Sequence, residues 1–393
     1  MKFKFKIPRQ VVILGLISFF TDFASEMLYP VVPIFLTSVL GASMSIVGLI
    51  EGVAEVLANL LKGFFGIISD KIKKRAIFVK TGYSLSALVK PLPGFFPYVS
   101  IVAIARSLDR IGKGIRTSPR DALIAAEAND KNKGTLFGFH RSLDTFGAVA
   151  GPLTALLILA ITNENYRAVF YFSIIPSLGA IYFAFKTKDK FAGTVNKTFY
   201  NFKEFVKNSP SNIKRLLLLV TIFSLVNSSD VFLILRVKNI FASDSYAIWA
   251  YLFYNLIYAV FSFPAGILSD KFSKRIVFAT GLLIFSIVYF LFATSVKLFV
   301  IAFAFVLYGF YSATTDGILK GWISDFIGET YRASAIGIFN LFMGIAMMLS
   351  SIITGILWDA FGPEIPFLIS SVVSFIVGIL VFISPIVRKT NES

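Results

Sequence analysis

Asp22 and Glu26 stand four residues apart in an apolar stretch over 10–36, a spacing that stacks two carboxylates on one face of a helix. Two acids side by side away from water do not both stay ionised, so such a pair is suited to taking up and releasing a proton. The other reading of the pair is simple pairing with basic side chains nearby. Over 99–126, Arg106, Asp109, Lys113, Arg116 and Arg120 advance by three or four residues and form one helical stripe, with Arg110 and Asp121 beside it. Four unpaired bases in a bilayer would cost roughly 12 kcal/mol, so they must be compensated. Asp109, Arg110 and Lys113, near the helix midpoint, are suited to an anion-attracting cavity wall or to an ion-pair network joining neighbouring helices. Arg116, Arg120 and Asp121 sit toward one end, where pairing with the loop around Asp70 is expected.

Other charged groups fall on further apolar stretches. Arg141 and Asp144 are spaced to satisfy each other, with His140 adjacent and read as lying on a different face. Glu51, Glu55, Asn59 and Lys62 share a face that reads as structural. The second half of the chain carries Asp230, Asp316, Lys320 and Asp325 but is rich in aromatics, among them Tyr251, Tyr254, Tyr258, Tyr308 and Tyr311. A hard cation held by Asp22, Glu26 and Asp230 is a further reading.

These groups need elements to carry them, and the composition says which. The 393 residues are 56% apolar and 15% charged, against roughly half and a quarter in a soluble domain. There is no Cys and a single His, which excludes disulfides, Cys-ligated zinc and thiol nucleophiles. Gly112-Lys113-Gly114 lacks the flanking residues of a phosphate-binding loop. The net charge of +16 lies mostly in short clusters between apolar runs, which points to membrane topology and not to nucleic acid.

A helix needs about 20 apolar residues to cross the hydrocarbon. Apolar runs between charged or Pro/Gly-rich breaks predict twelve helices, over 10–36, 46–68, 76–93, 99–126, 136–161, 167–185, 216–240, 245–268, 276–296, 298–326, 334–357 and 365–387. Lys2, Lys4, Lys6 and Arg9 before the first run resemble a signal peptide, but Asp22 and Glu26 interrupt that run, so it reads as a first membrane helix. With the N-terminus inside, inner segments hold 24 Lys/Arg and outer loops hold 5, namely Lys90, Arg167, Arg236, Lys238 and Lys297. That bias predicts both termini in the cytoplasm, so the sequon Asn196-Lys-Thr198 is discounted. Within 186–215, Phe199, Phe202, Phe205 and Val206 share a face opposite several lysines, the pattern of a basic amphipathic helix on an anionic leaflet.

The chain also repeats. Gly66-Ile-Ile-Ser-Asp70-Lys71-Ile-Lys-Lys74-Arg75 returns as Gly266-Ile-Leu-Ser-Asp270-Lys271-Phe-Ser-Lys274-Arg275, 200 residues later. A second match aligns Lys133 with Arg332 and Gly138 with Gly337, at an offset of 199. Two matches at nearly one offset predict two parallel six-helix halves: an N-terminal bundle over 1–185, a linker over 186–215 and a C-terminal bundle over 216–393.

The paired Gly-x-x-x-Asp-Lys-x-x-Lys-Arg loops resemble the signature loop of the major facilitator superfamily, and the resemblance covers essentially the whole chain. Arg106-Ser-Leu-Asp109-Arg110-Ile-Gly112 is similar to the family's fourth-helix motif, with Asp109 and Arg110 in place of Gln and Gly. Gly138, Gly147, Gly151 and Pro152 reproduce a Gly-x8-Gly-x3-Gly-Pro spacing that resembles the antiporter motif of drug–proton exporters, though Ala155-Leu156 replaces its closing Gly-Gly. The resemblance implies an all-α integral membrane protein with alternating access around a cavity lined by helices one, four, seven and ten.

The resulting expectation is a secondary transporter, not an enzyme, that exports a small amphiphilic or anionic organic solute. It would act as a monomer in a prokaryotic inner membrane, with lipid as its surroundings and no nucleic acid partner. It would use no cofactor and draw on the proton gradient. Uniport or import of an organic anion, and export of a divalent metal ion, are the alternative readings. Asp22 and Glu26 are expected to carry the proton. Substrate is expected at Arg106, Asp109, Arg110, Lys113, Arg141, Asp144, Asp230, Tyr254 and Asp316. Gly66, Asp70, Lys71, Arg75, Arg116, Arg120, Asp121, Asp270, Lys271 and Arg275 are expected to gate, and Gly138, Gly147, Gly151 and Pro152 to form a hinge.

Overall fold

The computed structural model describes residues 7–128, 132–189, 207, 209–271, 273–326 and 329–384. The side chains of Asp70, Asp270, Lys271 and Asp316 lie outside that description, as does the amphipathic segment over 199–206.

Every regular element among the described residues is helical. The first half supplies α1 (Arg9–Leu28), α2 (Met44–Ile72), α3 (Ala76–Val89), α4 (Val99–Glu127), α5 (Lys133–Ile161) and α6 (Tyr166–Phe185). The seventh span is split into α7 (Ser211–Ser224) and α8 (Val231–Phe241); α9 (Asp244–Lys271), α10 (Lys274–Thr294), α11 (Leu298–Phe326), α12 (Glu329–Phe361) and α13 (Glu364–Ile383) follow. Eight spans are long and apolar enough to cross a bilayer on composition alone. The short α3, the charged α4, the divided seventh span and α9 complete twelve crossings.

Two compact units divide the chain: Met1–Ala42 with Val53–Val195, and Ser43–Gly52 with Asn196–Ser393. In the first, α1 packs along α5 and α6, while α3 packs along α4. The α1–α5 approach is close because Gly147 and Gly151 present no side chain. A Cβ on Gly151 would lie 2.6 Å from the Met27 nitrogen and 2.7 Å from the Phe23 oxygen; one on Gly147 would lie 2.5 Å from the Phe19 oxygen. Val11, Leu14, Ile17, Val79, Tyr83 and Leu123 are buried together where α1, α3 and α4 meet.

In the second unit, α10 packs on α11 and α13, and α9 on α11. Its core is aromatic: Phe285 stacks on Tyr289 with ring centroids 3.9 Å apart, and Phe292 on Phe367. The start of α2, as far as Gly52, belongs to this unit. Its Met44 and Ser45 N–H groups donate to the Asp359 carboxylate at 3.0 and 2.8 Å, a negative charge placed where a helix start favours one.

Two expectations need correction. The seventh span is not one helix over 216–240: it begins at Ser211 and is interrupted between Ser224 and Val231. Lys90 and Arg236 are not loop residues facing water. Lys90 closes α3 and is 6% exposed. Arg236, on α8 and 3% exposed, donates to the Phe292 carbonyl and pairs with Glu364 at 3.0 Å. Both cations are drawn inward by partners that no count along the chain reveals.

Candidate functional site

In the first unit α1, α4 and α5 bring their charged faces together. Asp22 is next to the α5 contact, since a Cβ on Gly147 would lie 3.2 Å from the Asp22 Cβ. Asp144 is one turn earlier on that face of α5. The carboxylate that bears most strongly on Asp22 is therefore Asp144, ahead of Glu26, with Lys113 and Arg120 as the neighbouring bases. Asp144 is 9% exposed. His140 Nδ1 lies 3.7 Å from its Oδ2, so His140 and Asp144 share a face, contrary to expectation. The i,i+4 spacing is the physical reason. Arg141 reaches the same oxygen only at 4.0 Å, and its side chain is 64% exposed. His140 Nε2 is buried without a hydrogen-bond partner.

On α4, Arg120 donates from Nε and Nη2 to Asp121 at 2.9 and 2.8 Å, and from Nη1 to Ser18 of α1 at 3.1 Å and the Tyr83 hydroxyl at 3.4 Å. Arg116 donates to the Ser86 hydroxyl and lies over the Tyr83 ring, 4.6 Å from its centroid. Asp109 pairs with Lys90 at 3.1 Å. Arg106 lies 5.0 Å from the centre of the Tyr29 ring. Lys113 is exposed on α4 and has Arg110, Glu55 and Asp22 as electrostatic neighbours. The stripe thus divides: Arg106, Asp109, Arg116 and Arg120 are engaged inside the unit, whereas Lys113 lies exposed on the same helix. A cavity of about 30 Å³, lined by Ser25, Val32, Lys90, Arg106, Asp109 and Phe170, lies against the Lys90–Asp109 pair. It has room for about two waters.

The signature-loop residues also find partners within each unit. A Cβ on Gly66 would lie 3.0 Å from the Ser118 Cβ, so this glycine admits α4. Ser118 Oγ donates to the Lys62 carbonyl at 2.8 Å. Arg75 and Ala76 offer their N–H groups to Asp189 at 2.6 and 2.8 Å, which satisfies the start of α3. Arg75 also reaches the Ala122 carbonyl, and its repeat counterpart Arg275 donates to the Ser384 carbonyl at 2.6 Å. Lys71 is exposed. Of the four hinge positions, Gly147 and Gly151 are packed against α1, Pro152 is inside α5, and a Cβ on Gly138 would meet nothing within 4 Å.

In the second unit Asp230 accepts a hydrogen bond of 2.6 Å from the Tyr308 hydroxyl. Tyr254 bonds with Ser312 at 3.1 Å, and its ring is 5.0 Å from that of Tyr308. Asn227 donates to the Tyr311 hydroxyl at 3.3 Å. Lys90, Asp189 and the direct bond from Tyr308 were not singled out from the sequence. Lys90 precedes Pro91 at the end of an apolar run, which is why it reads as a loop residue.

Helices that cross a bilayer, carry buried charge and repeat across two halves define a membrane transporter. The sequence profile of the Major Facilitator Superfamily matches residues 14–241 and 216–393, and the chain belongs to that family. It is 36% identical over 381 residues to an uncharacterised MFS-type transporter of Methanocaldococcus jannaschii, covering 95% of this chain and 94% of that one. Among solved structures, a nucleoside transporter superposes with a TM-score of 0.81 at 12% identity, covering 95% of this chain and 99% of the other. A bacterial homologue of the human lysosomal transporter Spinster gives 0.77 at 16% identity, with 95% of each chain covered. The protein is a transporter and not an enzyme.

Proposed function

We propose that the protein is a secondary active transporter that exports a small amphiphilic or anionic organic solute in exchange for protons. The observation that carries this reading is the close packing of α1 on α5 at Gly147, which sets Asp22 beside the turn that bears Asp144, with Lys113 and Arg120 as its electrostatic neighbours. A carboxylate with a second carboxylate and two bases as neighbours has a charge balance that one proton or one anionic group changes. Competition between proton and solute for such a cluster couples their movements, because each ligand favours the conformation it binds better. The glycine spacing shared with drug–proton exporters supports export. Among the described residues no three acidic or His side chains converge to hold a metal ion.

Proteoliposomes with an internal pH dye, exposed to a panel of organic anions and amphiphiles, test the reading. At least one solute should drive proton movement in the wild type, and Asp22→Asn should lose that movement while still binding the solute. Solute flux independent of the pH gradient in the wild type would refute proton coupling.

A further inference from the structure

We propose that the interruption of the seventh span, between α7 and α8, is a binding site for a dehydrated alkali cation of sodium size. The backbone gives the first reason. Inside a bilayer a helix opens only where other groups or a ligand satisfy the freed polar atoms. Here the Ser229 N–H leaves the helical ladder and donates to Ser351 Oγ at 3.1 Å. The Val231 N–H turns to Ser229 Oγ. These amide donors are drawn to hydroxyls, so the N–H groups that a continuous helix would bring to the Leu225 and Asn227 carbonyls, at the C-terminal, negative end of α7, are used elsewhere, while the Ser229 and Asp230 carbonyls accept from the first turn of α8. Unwound backbone with a half-helix C-terminus is the arrangement that coordinates small cations in membrane transporters.

The side chains around the break add oxygens. Asp230 supplies a carboxylate and Ser228, 2% exposed, a hydroxyl. Tyr308 donates to one Asp230 oxygen, so that hydroxyl's lone pairs are turned toward its surroundings. Tyr289 provides an independent observation. It is 1% exposed, beside Ser228 and Tyr308, and its hydroxyl makes no hydrogen bond of ordinary geometry. The ring is not free to carry that hydroxyl elsewhere: it is stacked on Phe285 and packed on Phe367, 5.3 Å away. A hydroxyl this deeply buried, with only Ser228 and Tyr308 as misaligned neighbours, is open to a ligand, and an oxygen beside a carboxylate and a hydroxyl is suited to a cation. A single carboxylate with neutral oxygens matches a monovalent ion better than a divalent one, whose sites gather several carboxylates.

The site belongs to the second unit, whereas Asp22 and Asp144 belong to the first, and its test is independent of proton coupling. Binding of radioactive sodium to the purified full chain, and thermal unfolding in sodium, potassium, choline and tetramethylammonium chlorides at equal ionic strength, read it directly. The wild type should bind sodium saturably and unfold at a higher temperature in sodium than in choline. Asp230→Asn should weaken sodium binding about tenfold or more, and Tyr289→Phe, which keeps the ring packing, should weaken it several-fold. No sodium binding by the folded wild type, or undiminished binding by both variants, would overturn the assignment. Stabilisation by tetramethylammonium without sodium would also overturn it and mark the site as one for organic ammonium groups. Should Asp230→Asn not fold, Tyr289→Phe decides the matter alone.

Discussion

Lys90 Nζ lies 3.1 Å from Asp109 Oδ1, and the two side chains are 5% and 10% exposed. Arg116, Arg110 and Arg106 also bear on the same carboxylate, so Asp109 anchors a group of cations that would otherwise repel one another. Removing one member of a buried pair leaves the other uncompensated, at about 3–5 kcal/mol. Asp109→Asn should therefore lower the thermal midpoint of the detergent-solubilised protein by several degrees. Lys90→Met combined with Asp109→Leu should recover only the part due to Lys90, because the arginines still lack their carboxylate. A single variant as stable as the wild type would show that the pair contributes nothing.

Asp144 bears on Asp22 more than Glu26 does. Asp22→Asn should lose the pH-gradient-driven component of transport, Asp144→Asn should impair it strongly, and Glu26→Gln should impair it least. Dye-reported proton flux in proteoliposomes gives the order, and a Glu26→Gln effect equal to that of Asp22→Asn would contradict it.

Lys113 is exposed on α4, whereas Arg116 is held by Ser86 and Tyr83. Lys113→Gln should weaken binding of an anionic solute with little change in thermal midpoint. Arg116→Gln should lower the midpoint, because a buried guanidinium's hydrogen bond and its ring contact are lost together. Binding isotherms and unfolding curves on the same preparations separate the two.

Gly151 and Gly138 belong to one motif but have different surroundings. Gly151→Ala places a methyl group within 2.6 Å of α1 backbone, and should destabilise by about 1–3 kcal/mol through overpacking. Gly138→Ala meets nothing within 4 Å inside α5 and should stabilise by about 0.5–1 kcal/mol, since Ala favours the helix over Gly. Thermal unfolding of both variants checks the contrast.

Asp189 accepts from two N–H groups at the start of α3. Asp189→Ala should cost about 1 kcal/mol and raise hydrogen exchange at the Arg75 and Ala76 amides first. Unchanged protection there would remove the capping role.

The number and course of the membrane spans, the 200-residue repeat and the family motifs are legible in the chain, because hydropathy and motif spacing are properties of neighbouring residues. The concentration of charge on α1, α4 and α5 is legible for the same reason. Which of those charges face one another is decided by the rotation of each helix about its axis and by the depth at which helices cross, and both depend on packing between residues far apart in sequence. Asp22 comes under the influence of Asp144 because Gly147 and Gly151 let α5 lie against α1. Lys90 reaches Asp109 because α3 runs along α4, which turns a residue that reads as a loop cation into a buried partner. The split of the seventh span is likewise hidden. Leu225-Val-Asn-Ser-Ser-Asp230 contains no Pro or Gly, and only the tertiary contacts from Ser351, Tyr308 and Tyr311 provide partners for the groups that an open helix exposes.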